Sequence, residues 1–597
     1  MIGWAGRYCL AALLVCQSAM AGTFITADNG NPEEITHPSG YTGNGGQLQV
    51  TMCIATDSES PGEIAVALQN IANTVSRLLP ENGNLVSGGA NNIPSGQIDF
   101  ESVAVHEVGH CLGLGHPNAA TDSGLPGADR NYTAALQGPN GMFDIAPGVD
   151  GVKGSSDDPR GDDINIHWFE KAMNNPFSLP QIIDGTTFSV NLADLPAGHL
   201  FAANADRSVG ALLGFSASEA VMQQGTFSDE AQRELGMDDV ATLRLGMAGT
   251  DEIQDTNDDY TLRLVYGGVS NACDLTVHVG GSNFASCTVG LGFVSSGHLR
   301  VTGGDAFFGS ASNVNWFFNQ QSNLAAGVNI DARVNLQGAA VESPAGVPFM
   351  QDGLRDNGEL PLAEPYTALD NYSHVGGGGE SITSPLTAIS NRAGDSIVDW
   401  VFVELRSSAN AAQVVATRSA LLQRDGDIVD TDGGSLLNFP QLSPANRFMA
   451  VRHRNHLGVM TGLALATSSL TPRLDFTNSG SANFVVDPQY DGLSQTILDN
   501  GQRALWGGNG NGDSALILQG PANDASTPFF DVLLDPANTS LSANFIAEGY
   551  LQGDFDMDGQ AIFQGPGSEI NFLFFNILLH PLNSGLLNNF SIQEQLP

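Results

Sequence analysis

Helical periodicity is clearest in the N-terminal quarter of the chain. Apolar residues recur at helical spacing over about four turns from Ile64, after Ser60-Pro61-Gly62-Glu63, which has the pattern of a capping box with proline at the first helical position. A second helix is expected to begin near Asp99. A third is expected to begin near Asp162 and to extend across 164–173.

The pattern changes at about residue 179 to short alternating apolar and polar runs separated by Gly, Asn, Asp and Ser. Such runs are typical of strands in sandwich-like β modules. The clearest of them lie at 187–192, 241–247, 260–268, 274–279, 298–303 and 397–406. Interruptions near residues 320 and 479 indicate boundaries between modules.

The last hundred residues contain an internal repeat. Residues 508–538 align on 553–583 without gaps, so that every position is shifted by 45 residues. This pattern indicates two copies of one structural unit, each of which needs its neighbour to cover its apolar face.

These patterns predict a multidomain protein, in which an α+β domain is followed by mainly-β modules. The predicted parts are an export signal at 1–21, an α+β domain at 22–178, a β-rich domain at 179–319, a β-sandwich-like module at 320–478 and the repeat module at 479–597. A chain of 597 residues is too long for a single core, which agrees with this division.

Charge narrows the choice of partners. The net charge is −42, and lysine occurs only at positions 153 and 171. Nucleic acid and anionic lipid repel such a polyanion, so neither is expected as a partner. The apolar run of the N-terminal signal is too short to span a bilayer, and no later run is long enough.

The N-terminus has the features of an export signal. Arg7 precedes a short apolar run at 9–16, and Ala19-Met20-Ala21 forms a small-x-small cleavage site. We therefore expect a protein secreted to the extracellular space or held at the cell surface.

Removal of this signal would leave four of the six cysteines. An even number in an oxidising compartment predicts two disulfides. Cys273 and Cys287 are close in sequence and are expected to pair, which leaves Cys53 to pair with Cys111. The alternative is that each cysteine is a small buried thiol.

The stretch HEVGHCLGLGH, which begins at His106, contains the candidate metal-binding and catalytic residues. Helical spacing places His106 and His110 on one face with Glu107 beside them, and Gly113 allows a turn that returns His116 to the same place. Three imidazoles leave a fourth zinc position open, as in catalytic sites. The alternative is a core-facing helix whose histidines are merely hydrogen-bonded.

The longer stretch IDFESVAVHEVGHCLGLGH resembles the metzincin metalloproteases, and most closely their matrixin-like bacterial members. The resemblance covers about residues 23–175, a quarter of the chain. It implies that the three histidines bind zinc, that Glu107 is the general base, and that the substrate is a protein or peptide.

The resemblance also implies a methionine turn beneath the zinc. Met142 is the best match, with Met173 as the alternative. Asp162 and Asp163, at the start of the stretch GDDINIHWF, would anchor this turn by hydrogen bonds. The segment between the first helix and the histidine helix is short, so the sheet usual in the family is expected to be reduced.

The second repeat copy contains a candidate calcium loop. Asp554, Asp556 and Asp558 alternate before Gly559, a pattern in which carboxylates converge on one hard cation. An EF-hand has glutamate at the twelfth position, but here the next carboxylate, Glu569, stands at the sixteenth. The loop resembles a distorted dockerin-like loop; the alternative is a solvated turn.

The equivalent positions of the first copy are Asn509, Asn511 and Asp513, which carry two charges fewer. Elsewhere, His453 and Arg454 should point to opposite faces of a strand, and no carboxylate lies at motif spacing, so we interpret them as structural.

The sequence therefore predicts a secreted zinc endopeptidase with Glu107 as general base and structural calcium. Its β-rich tail is expected to serve targeting or adhesion, with a cell-surface component or a polysaccharide as ligand. The alternative hypothesis is a surface adhesion protein whose protease-like domain is vestigial.

Overall fold

The computed structural model shows a multidomain α+β protein with mostly β content and few helices. The ranges that it describes are 21–26, 31, 33–117, 168–172, 175–191, 194, 205–207, 210–211, 214–223, 225–478 and 493–597. Residues 1–20 of the predicted export signal at 1–21 lie outside them.

The first unit ends near residue 317. Its helices are α1 (Pro61–Arg77), α2 (Phe100–Cys111) and α3 (Met237–Met247). Its strands are β1 (Ala21–Gly22), β2 (Ile35–His37), β3 (Gly46–Ile54), β4 (Val86–Ser87), β5 (Ile98–Asp99), β6 (Trp168–Glu170), β7 (Phe188–Ser189), β8 (Glu230–Ala231), β9 (Tyr260–Val269), β10 (Leu275–Gly281), β11 (Ala285–Ser295), β12 (His298–Gly309) and β13 (Trp316–Phe317).

A six-stranded mixed sheet organises this unit. Its strand order is β11-β12-β10-β3-β9, and β2 pairs with β12. β3 is parallel to both β9 and β10, whereas β11 runs antiparallel to β12. Helices α1 and α2 pack on the sheet and on each other, and one apolar core joins them to α3.

This sheet corrects the predicted division at residues 178 and 179. Strands β2 and β3 come from the predicted domain 22–178, whereas β9 to β12 come from the predicted domain 179–319. The two segments share one sheet and one core, so they form a single unit. The expectation of a reduced sheet is also wrong, because β9 to β12, which complete the six-stranded sheet, follow the histidine helix in the chain.

Three local predictions also differ from the structure. The alternating run at 241–247 lies within helix α3, whose residues are almost all buried, so tertiary packing overrides the strand pattern. Residues 168–170 form β6 rather than part of a third helix, because they pair with β1 and β7. Helix α1 begins at Pro61 as expected, but Ser60 is left-handed and its side chain makes no cap bond.

The second unit is built around an eight-stranded sheet with the order β21-β20-β16-β17-β18-β15-β23, and β22 pairs with β20. Its strands are β14 (Val328–Ile330), β15 (Ala332–Arg333), β16 (Ile397–Ser407), β17 (Asn410–Gln423), β18 (Asp427–Val429), β19 (Leu437–Phe439), β20 (Ala445–His453), β21 (His456–Met460), β22 (Leu465–Thr467) and β23 (Leu474–Asp475). Its short helices are α4 (Gln337–Val341), α5 (Gly353–Asp356) and α6 (Pro385–Ala388). Almost every residue of β16 is buried, so this strand is covered on both faces.

The third unit contains the repeat. Its elements are β24 (Gln495–Ile497), β25 (Arg503–Leu505), β26 (Ala515–Ile517), α7 (Ser526–Leu533), β27 (Ile546–Glu548), β28 (Gln560–Ile562), α8 (Glu569–Leu578) and β29 (Ser591–Gln593). β26 of the first copy pairs with β29, which follows the second copy, and β28 of the second copy pairs with β27, which follows the first. The two copies therefore interlock.

Both disulfides are present, but the predicted pairing is wrong. Cys53 in β3 is bonded to Cys273, and Cys111 in α2 is bonded to Cys287 in β11. The prediction paired Cys273 with Cys287 because they are near in sequence. Instead, β3 is bonded to the segment before β10, and α2 is bonded to β11. No helix in the described ranges is long and apolar enough to cross a membrane.

Candidate metal centre and cleft

Helix α2 and the turn after it position the three motif histidines. Asp99 caps the helix by accepting a hydrogen bond from the Ser102 backbone N–H at 3.1 Å. After α2 ends, Gly113 has a φ of 105°, and a side chain there would press on the Thr36 carbonyl oxygen at 2.6 Å. This turn returns His116 to the face of α2.

The imidazole rings converge through their Nε2 atoms. His110 Nε2 lies 3.1 Å from His106 Nε2 and 3.0 Å from His116 Nε2, and the third side of the triangle measures 3.3 Å. His106 Nδ1 donates to the Val221 carbonyl at 2.7 Å, and His110 Nδ1 donates to the Leu114 carbonyl at 2.8 Å. In a neutral ring that donates from Nδ1, Nε2 carries a lone pair, so lone pairs face one another here.

Burial keeps these rings neutral. It lowers the pKa of His106, and together with the neighbouring imidazoles it lowers the pKa of His110 to about 3 and that of His116 to about 2. Neutral imidazole is the form that binds metal.

The donor set fits a tetrahedral zinc ion. Zinc bound by imidazole at about 2.0–2.1 Å holds its nitrogen ligands about 3.3 Å apart, close to the observed triangle. The Nε2 lone pairs of His106 and His110 face each other, and such lone pairs repel one another unless a cation or a proton lies between them. The backbone carbonyls that accept from Nδ1 also fix the ring orientations, as partners of metal-binding histidines do.

The loop beneath the histidines is formed by residues that the sequence did not identify. The Met222 sulfur lies directly against Gly109 of α2, where no side chain would fit. Asp239 in the first turn of α3 accepts hydrogen bonds from the backbone N–H groups of Val221 and Met222, at 2.8 and 3.1 Å. This carboxylate thereby places the Val221 carbonyl that orients His106.

The predicted turn residues Met142, Asp162 and Asp163 lie outside the described residues. The methionine that the structure does place against α2 is Met222, and the aspartate that holds its loop is Asp239. One signal was available: paired aspartates at 238 and 239 open an apolar segment, which is typical of a helix start.

Glu107 lies beside the three histidines. Its side chain is 6% exposed, and burial raises its pKa to about 7 although the Cys287 backbone donates a hydrogen bond to it. The disulfide from Cys111 to Cys287 holds β11 next to this carboxylate.

These groups line a cleft of about 420 Å³ between α2 and β11. Among the described strands, β11 pairs on one side only, with β12, and its residues 285–287 form one wall. Phe227 and Phe284 stand at the cleft with 55% and 39% of their surface exposed. Arg207, another lining residue, is held by Glu219 at 2.5 Å and by Glu230 at 2.7 Å.

Outside this cleft, the structure also brings together three of the four predicted calcium residues. One carboxylate oxygen of each of Asp554, Asp556 and Asp558 lies within 4.8 Å of the others.

Comparison of the chain with known protein families, characterised proteins and solved structures finds no match.

Proposed function

We propose that this protein is a zinc-dependent endopeptidase that cleaves peptide bonds in the cleft between α2 and β11. The observation that carries the proposal is the triangle of Nε2 atoms of His106, His110 and His116, with Glu107 beside it on the cleft surface. Three neutral imidazoles and an open fourth position are the arrangement of a catalytic rather than a structural zinc site.

The chain supplies the remaining groups that peptide hydrolysis requires. When bound, zinc would polarise the scissile carbonyl and lower the pKa of a water molecule. Glu107 accepts the proton of that water and delivers it to the leaving amine. Its enclosed position keeps bulk solvent from competing for the proton.

The exposed edge of β11 favours an extended peptide as substrate. An unpaired strand edge offers backbone N–H and C=O groups to an added strand, and alternate side chains of that strand then enter pockets. At this cleft, Phe227 and Phe284 provide apolar surface for such side chains. An unfolded protein segment therefore suits the site better than a compact surface.

Cleavage of unfolded casein tests the proposal. We expect the purified full-length chain to release peptides, a zinc chelator to abolish the release, and added Zn²⁺ to restore it. Release that continues unchanged after zinc has been removed would contradict the proposal, because the proposed nucleophile is a water molecule that zinc activates.

A further inference from the structure

The acidic loop of the second repeat copy is buried rather than solvated. Asp554 is fully buried and Asp556 is 8% exposed. Glu569, at the start of α8, is 1% exposed, and its Oε2 accepts a hydrogen bond from the Phe555 backbone N–H at 2.8 Å. Asp558, which is partly buried, completes a group of three loop carboxylates with oxygens within 4.8 Å of one another, and Glu569 adjoins this group from α8.

One oxygen of this cluster is left without a partner. Asp554 accepts from the backbone N–H groups of Met557 and Gly559 at 2.8 and 3.0 Å, and Asp558 accepts from that of Gln560 at 2.8 Å. Asp556 Oδ1 is buried and has no hydrogen-bond partner among the described residues. A buried, unsatisfied carboxylate oxygen beside two other carboxylates is costly unless a cation neutralises it.

In the first copy, the side chain at the position of Asp556 is hydrogen-bonded without a cation. Among the described residues, the unpartnered buried oxygen of that loop, Asn509 Oδ1, belongs to a neutral amide, which costs less to bury than a carboxylate. At the position equivalent to Asp556, Asn511 Nδ2 donates to the Asp513 carboxylate at 3.0 Å and to the Ala522 carbonyl at 2.8 Å. Its amide group thus supplies hydrogen-bond donors where the second copy has only acceptors. The two copies can therefore be compared directly. The Asn511 amide donates hydrogen bonds within the first loop, whereas Asp556 at the equivalent position of the second loop has no donor.

The electrostatics of the second loop agree with this difference. Burial and the neighbouring carboxylates raise the pKa of Asp556 to about 9, and burial raises that of Asp554 to about 7 although Arg454 opposes the rise. Arg454 itself is bound to Asp399 at 3.0 Å.

We propose that Asp554, Asp556, Asp558 and Glu569 bind one Ca²⁺ ion, and that the equivalent loop of the first copy binds none. Hard cations of this size take carboxylate and carbonyl oxygens in irregular arrangements, which suits a loop that offers four carboxylates. The fourth ligand comes from the first turn of α8, so the ion joins the loop to the helix that follows it.

The ion also locks the repeat unit onto the eight-stranded sheet unit. The outer side of the loop offers backbone carbonyls to that unit: Gln351 Nε2 donates to the Asp556 carbonyl at 2.8 Å, and Asn357 Nδ2 donates to the Asp558 carbonyl at 3.0 Å. Between them, the Met557 side chain enters the core of the sheet unit and is 1% exposed. Carboxylates that point inward to a cation hold the loop in the shape that presents these groups outward.

Calcium binding to the full chain tests the site. Isothermal titration with Ca²⁺ would compare the wild type with Asp556→Asn, which installs the residue of the first copy, and with the matched first-copy control Asp513→Asn. We expect Asp556→Asn to lose one bound Ca²⁺, or to weaken its binding by at least about tenfold, because a charged ligand is removed. The control should keep its Ca²⁺ affinity within about twofold of the wild type.

Hydrogen exchange tests the locking role. Addition of Ca²⁺ should slow exchange at 553–560 and at 351–357 in the wild type and in Asp513→Asn, but not in Asp556→Asn. Absence of Ca²⁺ binding in the wild type, or undiminished binding in Asp556→Asn, would overturn the site. If Asp556→Asn does not fold, Glu569→Gln replaces it, with the same loss expected.

Discussion

At the residue scale, the histidine that opens the motif is oriented by a residue far away in the chain. The His106 ring donates to the Val221 carbonyl, and Asp239 holds that carbonyl by binding the backbone of Val221 and Met222. Asp239 is fully buried, and its backbone partners also include the Gly236 N–H at 2.8 Å. Each of these bonds ends on the same carboxylate, so one side chain fixes the whole loop.

We therefore predict that Asp239→Asn weakens zinc binding by about 10- to 100-fold, the usual effect of losing a partner that orients a metal ligand. An amide accepts through one oxygen only, so the loop loses part of its anchoring. Competition with a chromophoric chelator would measure the zinc affinity. The exposed Asp57→Asn serves as control and should match the wild type; an Asp239→Asn affinity equal to that of the control would exclude this positioning role.

At the scale of elements, the cleft is held open between a helix and an edge strand that a disulfide joins. Cys111 lies at the end of α2 and Cys287 in β11, beside the carboxylate of Glu107. The other disulfide, between Cys53 and Cys273, ties β3 to the segment before β10 and does not line the cleft. The two bonds therefore differ in what they position.

Removing each disulfide in turn distinguishes its effect on the stability of the fold from its effect on the position of β11 at the cleft. We expect Cys111→Ala with Cys287→Ala, and Cys53→Ala with Cys273→Ala, each to lower the free energy of unfolding by about 2–4 kcal/mol. At a temperature where both variants are folded, only the first should lose most of its casein cleavage. Equal cleavage by the two variants would show that β11 keeps its place without the bond.

Sequence reasoning succeeded where the determinants are local. The spacing of His106, His110 and His116 depends on one helical turn and one glycine, so a few adjacent residues suffice to predict that the rings meet. Helix α1 was predicted for the same reason, because its apolar residues repeat within a single segment.

Contacts between residues that are distant along the chain could not be predicted from the sequence. Met222 and Asp239 lie more than a hundred residues after the motif. The residues next to them in sequence do not indicate that they pack beneath it. The strands β9 to β12 were assigned to a separate domain because sequence distance does not reveal that they pair with β3. Disulfide pairing depends on the same long-range topology, and sequence alone leaves several pairings open.

At the scale of the whole molecule, a buried charge network joins the sheet unit to the repeat unit. Asp399 in β16 accepts from His453 and Arg454, each at 3.0 Å, and from the Tyr550 hydroxyl of the repeat unit at 2.7 Å. The prediction that His453 and Arg454 point to opposite faces of a strand is wrong, because both bind the same carboxylate oxygen of Asp399, which lies more than fifty residues earlier in the chain. Burial alone would raise the pKa of Asp399; Arg454 and the hydrogen bonds outweigh it and lower the pKa.

The lowered pKa of Asp399 makes the stability of the contact between the sheet unit and the repeat unit depend on pH. Because the pKa of Asp399 is lower in the folded state than its usual value of about 3.9, its stabilisation is complete above that pH and is lost as the pH falls below it. Asp399→Asn should cost about 3–5 kcal/mol at pH 7, since it leaves Arg454 buried without its charge partner.

Thermal unfolding from pH 7 to pH 3 would measure this effect. The midpoint of Asp399→Asn should lie well below that of the wild type at pH 7, and the gap should narrow below about pH 4. Asp57→Asn, an exposed substitution, should follow the wild type throughout. A gap that stays constant down to pH 3 would show that the ionised form of Asp399 does not stabilise the fold.

Two disulfides are compatible with an oxidising compartment, and secretion stays a prediction from the N-terminal sequence. The large negative charge is also consistent with a site that is filled by Ca²⁺ where that ion is abundant. The ligand of the β-rich tail likewise stays a prediction.

The central claim is that a zinc ion held by the three histidines works with Glu107 to cleave peptides. The most direct measurement is bound zinc and casein cleavage for the wild type, Glu107→Ala and the exposed control Glu63→Ala, made side by side. We expect about one zinc per chain in all three, with cleavage in the wild type and the control and almost none in Glu107→Ala. A wild type that binds zinc and cleaves nothing, or a Glu107→Ala that cleaves as well as the control, would contradict the account.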